Sequence, residues 1–304
     1  MKPLQRGAAL ILAMLVAALA ATVAVALASE QQRWFADVSN RRDQVQAQSL
    51  ALAGVQWARQ ILNDDARSGM LDYLGEPWAY PLPSTPIASG TIEGRIEDAQ
   101  GRLNLNNLAL DTPAGAVERL RLANLFSAKG VDSKMLDAIA DWIDADSAPR
   151  ANGAEDDYYT QRATTALAAN APLVRVAEFT SVRGGGAKAL GAVASDVAAL
   201  PAGTALNINT ANADVITAAI PDLTGDKLAS FIAERARRPF STMSDLRERL
   251  PRDVKLLEST TFGFSSSYFL VSVRSRQGDA IAQARALLKR EGREWPKVLW
   301  QTLE

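Results

Sequence analysis

An uncharged apolar run lies close to the start of the chain. Residues 8–28 read AALILAMLVAALAATVAVALA, and these 21 residues span about 30 Å as a helix, the thickness of the hydrocarbon core of a bilayer. The run is longer than the apolar region of a secretory signal, although Ala26-Leu27-Ala28 imitates a cleavage site. Neither Pro nor Gly interrupts the pattern before Gly54, so we predict one helix that leaves the membrane and continues to about Leu62.

Strand and loop patterns follow this helix. Gly and Pro are frequent over residues 69–89 and predict a loop. Residues 90–98 alternate apolar Ile92 and Ile96 with polar side chains, which predicts a half-buried strand with a bulge at Gly94. Residues 101–108, GRLNLNNL, predict a turn or strand end whose side-chain amides bond to the backbone.

A helical pattern then extends over most of the next 140 residues. Apolar spacing predicts a helix over 114–129 that Gly130 stops. A second helix runs through Trp142 and begins at Asp132 or Ser133, and residues 187–202 form a small-residue linker or a frayed helix. Residues 207–246 predict a helical hairpin plus one helix, in which Thr210 and Ser244 are the expected caps.

β-type patterns return at the end of the chain. They predict strands over 262–274 and 295–303, and residues 280–288 fit either helix or strand. The fold class predicted is therefore α+β, with β elements on either side of a helical insert.

Composition removes several kinds of site. The chain has neither Cys nor His, which excludes disulfides, imidazole or thiolate metal ligands, Cys nucleophiles and every triad that needs imidazole. A net charge of −1 indicates no general attraction to nucleic acid. Carboxylate and carbonyl oxygens are the remaining strong ligands, and they favour a hard cation such as Ca²⁺. We find no enzyme signature.

Carboxylates crowd one turn of the helical region. Six lie within residues 141–157, Asp137 lies one helical turn earlier, and only Arg150 balances them. Such a group repels itself unless water or a cation compensates it. The spacing of Asp144 and Asp146 suits Ca²⁺ but is not that of an EF-hand, so a solvated acidic loop remains an alternative.

The hairpin over 207–246 resembles helix-hairpin-helix modules, which hold DNA phosphates on the backbone of a Gly-rich turn. Its turn has a single Gly, and Asp222 and Asp226 lie where a phosphate would come. A packing scaffold is the better interpretation, with DNA binding kept as the alternative.

The start of the chain resembles the type IV pilin-like proteins. It has a short basic leader, MKPLQRG, followed by the long apolar helix. The resemblance implies that a prepilin peptidase cuts after Gly7 and that Ala8 is then methylated. The fifth mature position usually carries Glu, whose carboxylate neutralises the amine of a neighbouring subunit, whereas this chain has Leu12. A subunit without that Glu fits an end of the fibre better than its middle.

Three further motifs narrow the resemblance. GRLNLNNL at 101–108, DWIDAD at 141–146 and NINTA at 207–211 occur in this order, and together they resemble the K-type minor pseudopilins of type II secretion systems. The resemblance implies a pilin-like antiparallel sheet domain on a long N-terminal helix, with a large inserted helical domain of the SAM or helix-hairpin-helix kind. The implied division is a leader (1–7), a transmembrane segment (8–28), a first part of the pilin-like domain (29–108), the insert (109–250) and C-terminal strands (251–304).

The resemblance also implies a function. It is that of a structural, non-enzymatic subunit at the pseudopilus tip, which initiates assembly with I-type and J-type minor pseudopilins and supports export across the outer membrane. The expected location is the bacterial inner membrane, crossed once, with the N-terminus cytoplasmic and the globular part periplasmic. Calcium is expected in the insert, and the ligands we select are Asp144, Asp146, Glu155 and Asp156. The alternatives are a membrane-tethered DNA-binding protein, a minor pilin of a type IV pilus, and a secreted hydrolase that uses the acidic loop.

Overall fold

The computed structural model describes residues 4–87, 90–161, 167–257 and 260–304, and for residues 4–7 it describes the backbone alone. Within these ranges there are eight α-helices and seven strands. The helices are α1 (Leu4–Ser68), α2 (Pro113–Ala128), α3 (Met135–Ile143), α4 (Asp156–Thr160), α5 (Ala187–Val193), α6 (Ala213–Ala219), α7 (Gly225–Arg237) and α8 (Met243–Arg249). The strands are β1 (Leu82–Ile87), β2 (Gly90–Asp98), β3 (Leu103–Asn104), β4 (Val197–Ala198), β5 (Tyr268–Gln277), β6 (Ala280–Lys289) and β7 (Lys297–Leu303). Short 3₁₀ helices cover Pro77–Ala79, Ala99–Gly101, Leu105–Ala109 and Val176–Ser181.

Helix α1 has two halves with different surroundings. Residues 8–28 are exposed along their whole length. From Ala47 onwards one face is buried against the sheet, and small residues allow the close approach, since a Cβ at Gly54 would lie 2.6 Å from Cγ1 of Val273. The predicted continuous helix is confirmed, and it extends beyond Leu62 to Ser68.

Five strands form one antiparallel sheet in the order β1-β2-β5-β6-β7. Its inner face packs on α1, and alternate side chains of β2, β5 and β6 supply a core with that helix. The ambiguous segment 280–288 is strand β6, whose inward positions are mostly alanines that fit beneath the helix. The predicted α+β fold with a long N-terminal helix is confirmed.

Two predictions at the sheet edge were wrong. The region 69–89, predicted as a loop, contains strand β1, and its prolines are tolerated because β1 lies at the edge. The ladder between β2 and β5 runs through Gly94 without a bulge. The irregular register is instead in β1, between Leu82 and Thr85.

The helical part of the chain lies between β2 and β5 in sequence and has a core of its own, which extends from Leu103 to Phe262. Gly130 ends the turn after α2 with a φ of +68°, as predicted for a helix stop. The predicted caps Thr210 and Ser244 were wrong. The side chains of Asn212 and Thr242 cap α6 and α8, because each lies three residues before the backbone N–H that it accepts from.

A buried polar junction joins the helical part to the sheet. Nδ2 of Asn207 lies 3.0 Å from the carbonyl of Asp72, 2.9 Å from Oδ2 of Asp98 and 2.9 Å from Oγ of Ser266. Asp98 also accepts from the hydroxyls of Thr210 and Ser266, each at 2.6 Å. Burial raises the pKa of Asp98 to about 6, although these hydrogen bonds act to lower it. The NINTA segment therefore connects the two cores through buried hydrogen bonds.

Candidate metal centre

Asp141 organises the acidic loop. It lies in the last turn of α3, is fully buried, and accepts hydrogen bonds at both oxygens from one residue. The backbone N–H of Arg150 donates to Oδ2 at 3.0 Å, and Nη1 of Arg150 donates to Oδ1 at 2.6 Å. The loop then passes so close to Asp141 that a Cβ at Gly153 would overlap its Oδ2. Only glycine fits there, which explains the Gly that follows the Pro149 turn.

Three carboxylates meet beside this arrangement. One oxygen each of Asp144, Asp146 and Glu155 lies within 4.8 Å of the other two. Oδ1 of Asp144 and both oxygens of Glu155 are buried and have no hydrogen-bond partner among the described residues. Unpaired buried carboxylate oxygens are costly, so these three atoms favour the binding of a positively charged partner.

The electrostatics agree with the geometry. Burial, and after it the negative charges of Asp141, Asp144, Asp146 and Asp156, together raise the pKa of Glu155 to about 7. Each of these groups increases the cost of ionising Glu155, and a divalent cation among the three oxygens would reverse that cost. The chemistry of the donor set, oxygens alone, fits Ca²⁺.

Asp156 and Asp137, two further acidic residues of this region, have protein partners. Oδ1 of Asp156, the fourth ligand that we selected, accepts from the backbone N–H of Ala168 at 2.8 Å, and Asp156 is not one of the three converging residues. Asp137 pairs with Arg119 and accepts from the side-chain amide of Asn152 at 2.9 Å. Asp137 therefore holds the loop from outside the cluster.

Aromatic and basic side chains support the loop from behind. Trp142 and Tyr159 pack edge to face with ring centroids 5.0 Å apart. The Tyr159 hydroxyl accepts from the backbone N–H of Arg183 at 3.0 Å, and Nη1 of Arg183 donates to the carbonyl of Gly153 at 2.7 Å. The loop is thus fixed at Gly153 from two sides, a rigid setting for a cation.

A second acidic group near the end of α1 differs in kind. Asp65, Asp72 and Glu76 also lie together, but Arg290 pairs with the first two. Oε2 of Glu76 accepts from the backbone N–H of Tyr73 at 2.9 Å and from the indole of Trp78 at 2.8 Å. In this second group, the protein itself supplies the positive charge and the hydrogen-bond donors.

The helical hairpin over 207–246, for which DNA binding was the alternative interpretation, directs two of its arginines to groups within the protein. Nη1 of Arg235, the first of its three arginines, is buried and donates to the carbonyls of Ile208 and Ala211 at 2.8 and 2.6 Å. Arg238 pairs with Asp245. Arg235 thus fixes the NINTA segment and is not available to a phosphate.

The apolar half of α1 forms the other candidate feature. Among the described residues, α1 is the one helix long and apolar enough to cross a membrane. Ala8 and Leu12 are exposed on it, and Leu12 keeps 65% of its surface accessible. Residues 1–3 of the predicted leader lie outside the described residues, and the side-chain description begins after Gly7.

The sequence pattern identified the acidic loop but not the way it is organised. The roles of Asp141 and Arg150 were missed, as was the junction around Asn207. The PRANG sequence at 149–153 could have indicated this pairing, because a single basic residue in a Pro and Gly turn surrounded by six carboxylates is expected to pair with one of them.

Comparison with known proteins places these features in one family. Two family models, both described as type II secretion system protein K, match residues 101–202 and 206–261. The type II secretion system protein K of Pectobacterium carotovorum is 30% identical over 97% of this chain and 95% of its own length, and that of Pseudomonas aeruginosa is 31% identical over 90% and 86%. A chain in the crystal structure of the GspK-GspI-GspJ complex from the enterotoxigenic Escherichia coli type 2 secretion system has the same fold. Its TM-score is 0.69 at 22% identity, over 88% of this chain and 99% of that one.

Proposed function

Because the chain belongs to the type II secretion system protein K family, and so is a minor pseudopilin, we propose that it forms the tip of the pseudopilus and initiates its assembly. We further propose that it acts without enzymatic activity and binds I-type and J-type minor pseudopilins. The relative of known structure was crystallised with GspI and GspJ, which supports this choice of partners.

The observation that carries the tip position is Leu12. The exposed segment 8–28 of α1 has no charged side chain, so it has no carboxylate to neutralise the amine of another subunit. An unpaired ammonium in an apolar helix bundle costs several kcal/mol. A subunit with this segment is therefore poorly suited to the middle of a fibre and suited to its end. The helical part, which adds a second core beside the sheet, adds bulk to that end.

Processing and topology complete the proposal. A prepilin peptidase would cut after Gly7 and leave Ala8 as the mature N-terminus, with the apolar half of α1 in the inner membrane and the rest in the periplasm. The basic residues Lys2 and Arg6 favour this orientation. Intact-mass measurement of the membrane-extracted protein tests it, and a mature chain that begins at Ser29 would contradict it.

The tip position is tested by labelling. An epitope at the C-terminus of the full chain, expressed with the other pseudopilins, should place gold at one end of each pseudopilus in electron micrographs. The full chain in detergent should also co-purify with the I-type and J-type subunits. Label along the whole fibre would contradict the tip position.

Calcium binding is a separate part of the proposal. Asp144, Asp146 and Glu155 would hold the ion, which when bound supplies positive charge in addition to that of Arg150. The three unpaired buried oxygens support this. EDTA should lower the melting temperature of the full chain in detergent, and Ca²⁺ should restore it. A melting temperature indifferent to EDTA would leave a solvated acidic loop as the better interpretation.

A further inference from the structure

One basic side chain reaches into the acidic cluster. Nη1 of Arg150 contacts Oδ1 of Asp141 and Oδ2 of Asp144, so one nitrogen joins the buried carboxylate to one of the three converging ones. The Arg150 side chain keeps 38% of its surface exposed. It therefore meets the cluster from the solvent side.

This contact divides the oxygens of Asp144 between two roles. Oδ2 is held by Arg150, whereas Oδ1, like both oxygens of Glu155, is buried and has no hydrogen-bond partner among the described residues. Arg150 thus orients Asp144, and Asp141 in turn holds Arg150 through both its backbone and its side chain.

Arg150 also sets the charge that a cation meets. Asp141, Asp144, Asp146 and Glu155 carry four negative charges when ionised, and Arg150 leaves three of them uncompensated. Without Arg150 this group would be one unit more negative, and because the Coulomb energy is proportional to the charge of the ion, attraction would increase more for a trivalent than for a divalent ion.

We propose that Arg150 is a positioning residue that sets the ion-charge selectivity of this centre by reducing its preference for trivalent over divalent cations. The inference rests on the proposed calcium function. Loss of the Arg150 hydrogen bonds alone would weaken the binding of both kinds of ion. Loss of its charge, in contrast, strengthens the binding of the trivalent ion relative to that of the divalent one.

The size of the effect follows from Coulomb's law. The ion and the guanidinium would be about 6 Å apart, because one carboxylate would lie between them and contact both. For a local dielectric constant of about 40, removing one unit of charge at this distance changes the ratio of trivalent to divalent affinity by about tenfold. The ratio of Tb³⁺ to Ca²⁺ affinity is therefore the informative quantity. Both ions take oxygen ligands, and the ratio cancels any weakening that they share.

The experiment measures Tb³⁺ and Ca²⁺ binding by titration calorimetry on the full chain in detergent. Arg150→Gln should raise the ratio of Tb³⁺ to Ca²⁺ affinity about tenfold, and Arg150→Lys, which keeps the charge, should keep the ratio within about threefold of wild type. Arg119→Gln is the matched control. Arg119 is equally exposed and pairs with Asp137, which holds the same loop, but it is not in contact with the three converging carboxylates.

A second variant tests the same charge effect if Arg150→Gln does not fold. Ser147 is exposed in the same loop, and Ser147→Lys adds a positive charge without removing a hydrogen bond of Arg150, so the ratio should fall. An unchanged ratio in both variants, or an equal shift in Arg150→Lys, overturns the role of Arg150 while leaving calcium binding intact. A wild-type protein that binds neither ion overturns both proposals.

Discussion

Replacing Glu155 by Gln should stabilise the metal-free protein at high pH. The pKa of Glu155 is about 7 in the folded state against 4.5 for the free side chain, and burial is the main cause. Between pH 4.5 and 7 the folded state holds a proton that the unfolded state has already lost. Raising the pH through this window therefore removes stability, and the loss is complete above pH 7.

The magnitude follows from that difference in pKa. The difference between a pKa of about 7 and one of 4.5 corresponds to about 3 kcal/mol, and because the neighbouring Asp146 is open to solvent, screening leaves on the order of 1–3 kcal/mol. In EDTA at pH 8, Glu155→Gln should thus melt higher than wild type by roughly 2–4 °C per kcal/mol. At pH 4.5 the two proteins should melt together.

Calcium should make wild type melt at a higher temperature than Glu155→Gln. The ion binds the ionised form of Glu155, and at 100 times the dissociation constant it adds about 2.7 kcal/mol to wild type. The assay is thermal melting of the full chain in detergent, followed by near-ultraviolet circular dichroism, in EDTA and in Ca²⁺ across pH 4.5–8. Glu76→Gln is the control, since Glu76 is another buried carboxylate with a raised pKa but its hydrogen bonds come from the protein. That variant should keep the calcium response. A difference between wild type and Glu155→Gln that does not change with pH would refute the reasoning.

Three further substitutions test the loop, the junction and the apolar segment. Gly153→Ala should lower the free energy of unfolding by about 2–4 kcal/mol and abolish calcium stabilisation in the same melting assay, because the new methyl group overlaps Asp141. Gly191→Ala is the control, and it should be neutral or slightly stabilising because Gly191 has open space around it. Asn207→Ala should lower the free energy of unfolding by about 2–4 kcal/mol in denaturant titrations, since it leaves buried acceptors without a donor; a loss under 0.5 kcal/mol would contradict the junction. Leu12→Glu supplies the missing carboxylate and should spread the gold label from one end along the pseudopilus, and labelling that stays at the tip would contradict the role given to this position.

Several features of this protein were determined by local sequence. The long α1 follows from an unbroken run of helix-forming residues, and β2 follows from strict alternation around Ile92 and Ile96. The helix stop at Gly130 follows from its freedom to adopt positive φ. The acidic loop was also visible, because charge density is a property of composition and spacing alone.

Other features depend on partners that are distant in the chain. Strand β1 looked like a loop because its prolines are acceptable only at a sheet edge, and the edge is set by pairing with β2 and, beyond it, with β5. Asn207 became the junction because folding brought Asp72, Asp98 and Ser266 around one amide.

The candidate metal centre also combines features of local sequence with features of the fold. Six carboxylates on one loop predicted either a bound cation or a solvated acidic loop, and spacing alone did not separate the converging residues from those with protein partners. Tertiary structure decided this by burying Asp141 and by giving Asp156 a backbone donor, while it left the oxygens of Glu155 unpaired. The sequence by itself determined where negative charge accumulates. The fold decided which of those charges are compensated, because burial and hydrogen bonding arise only when distant segments meet.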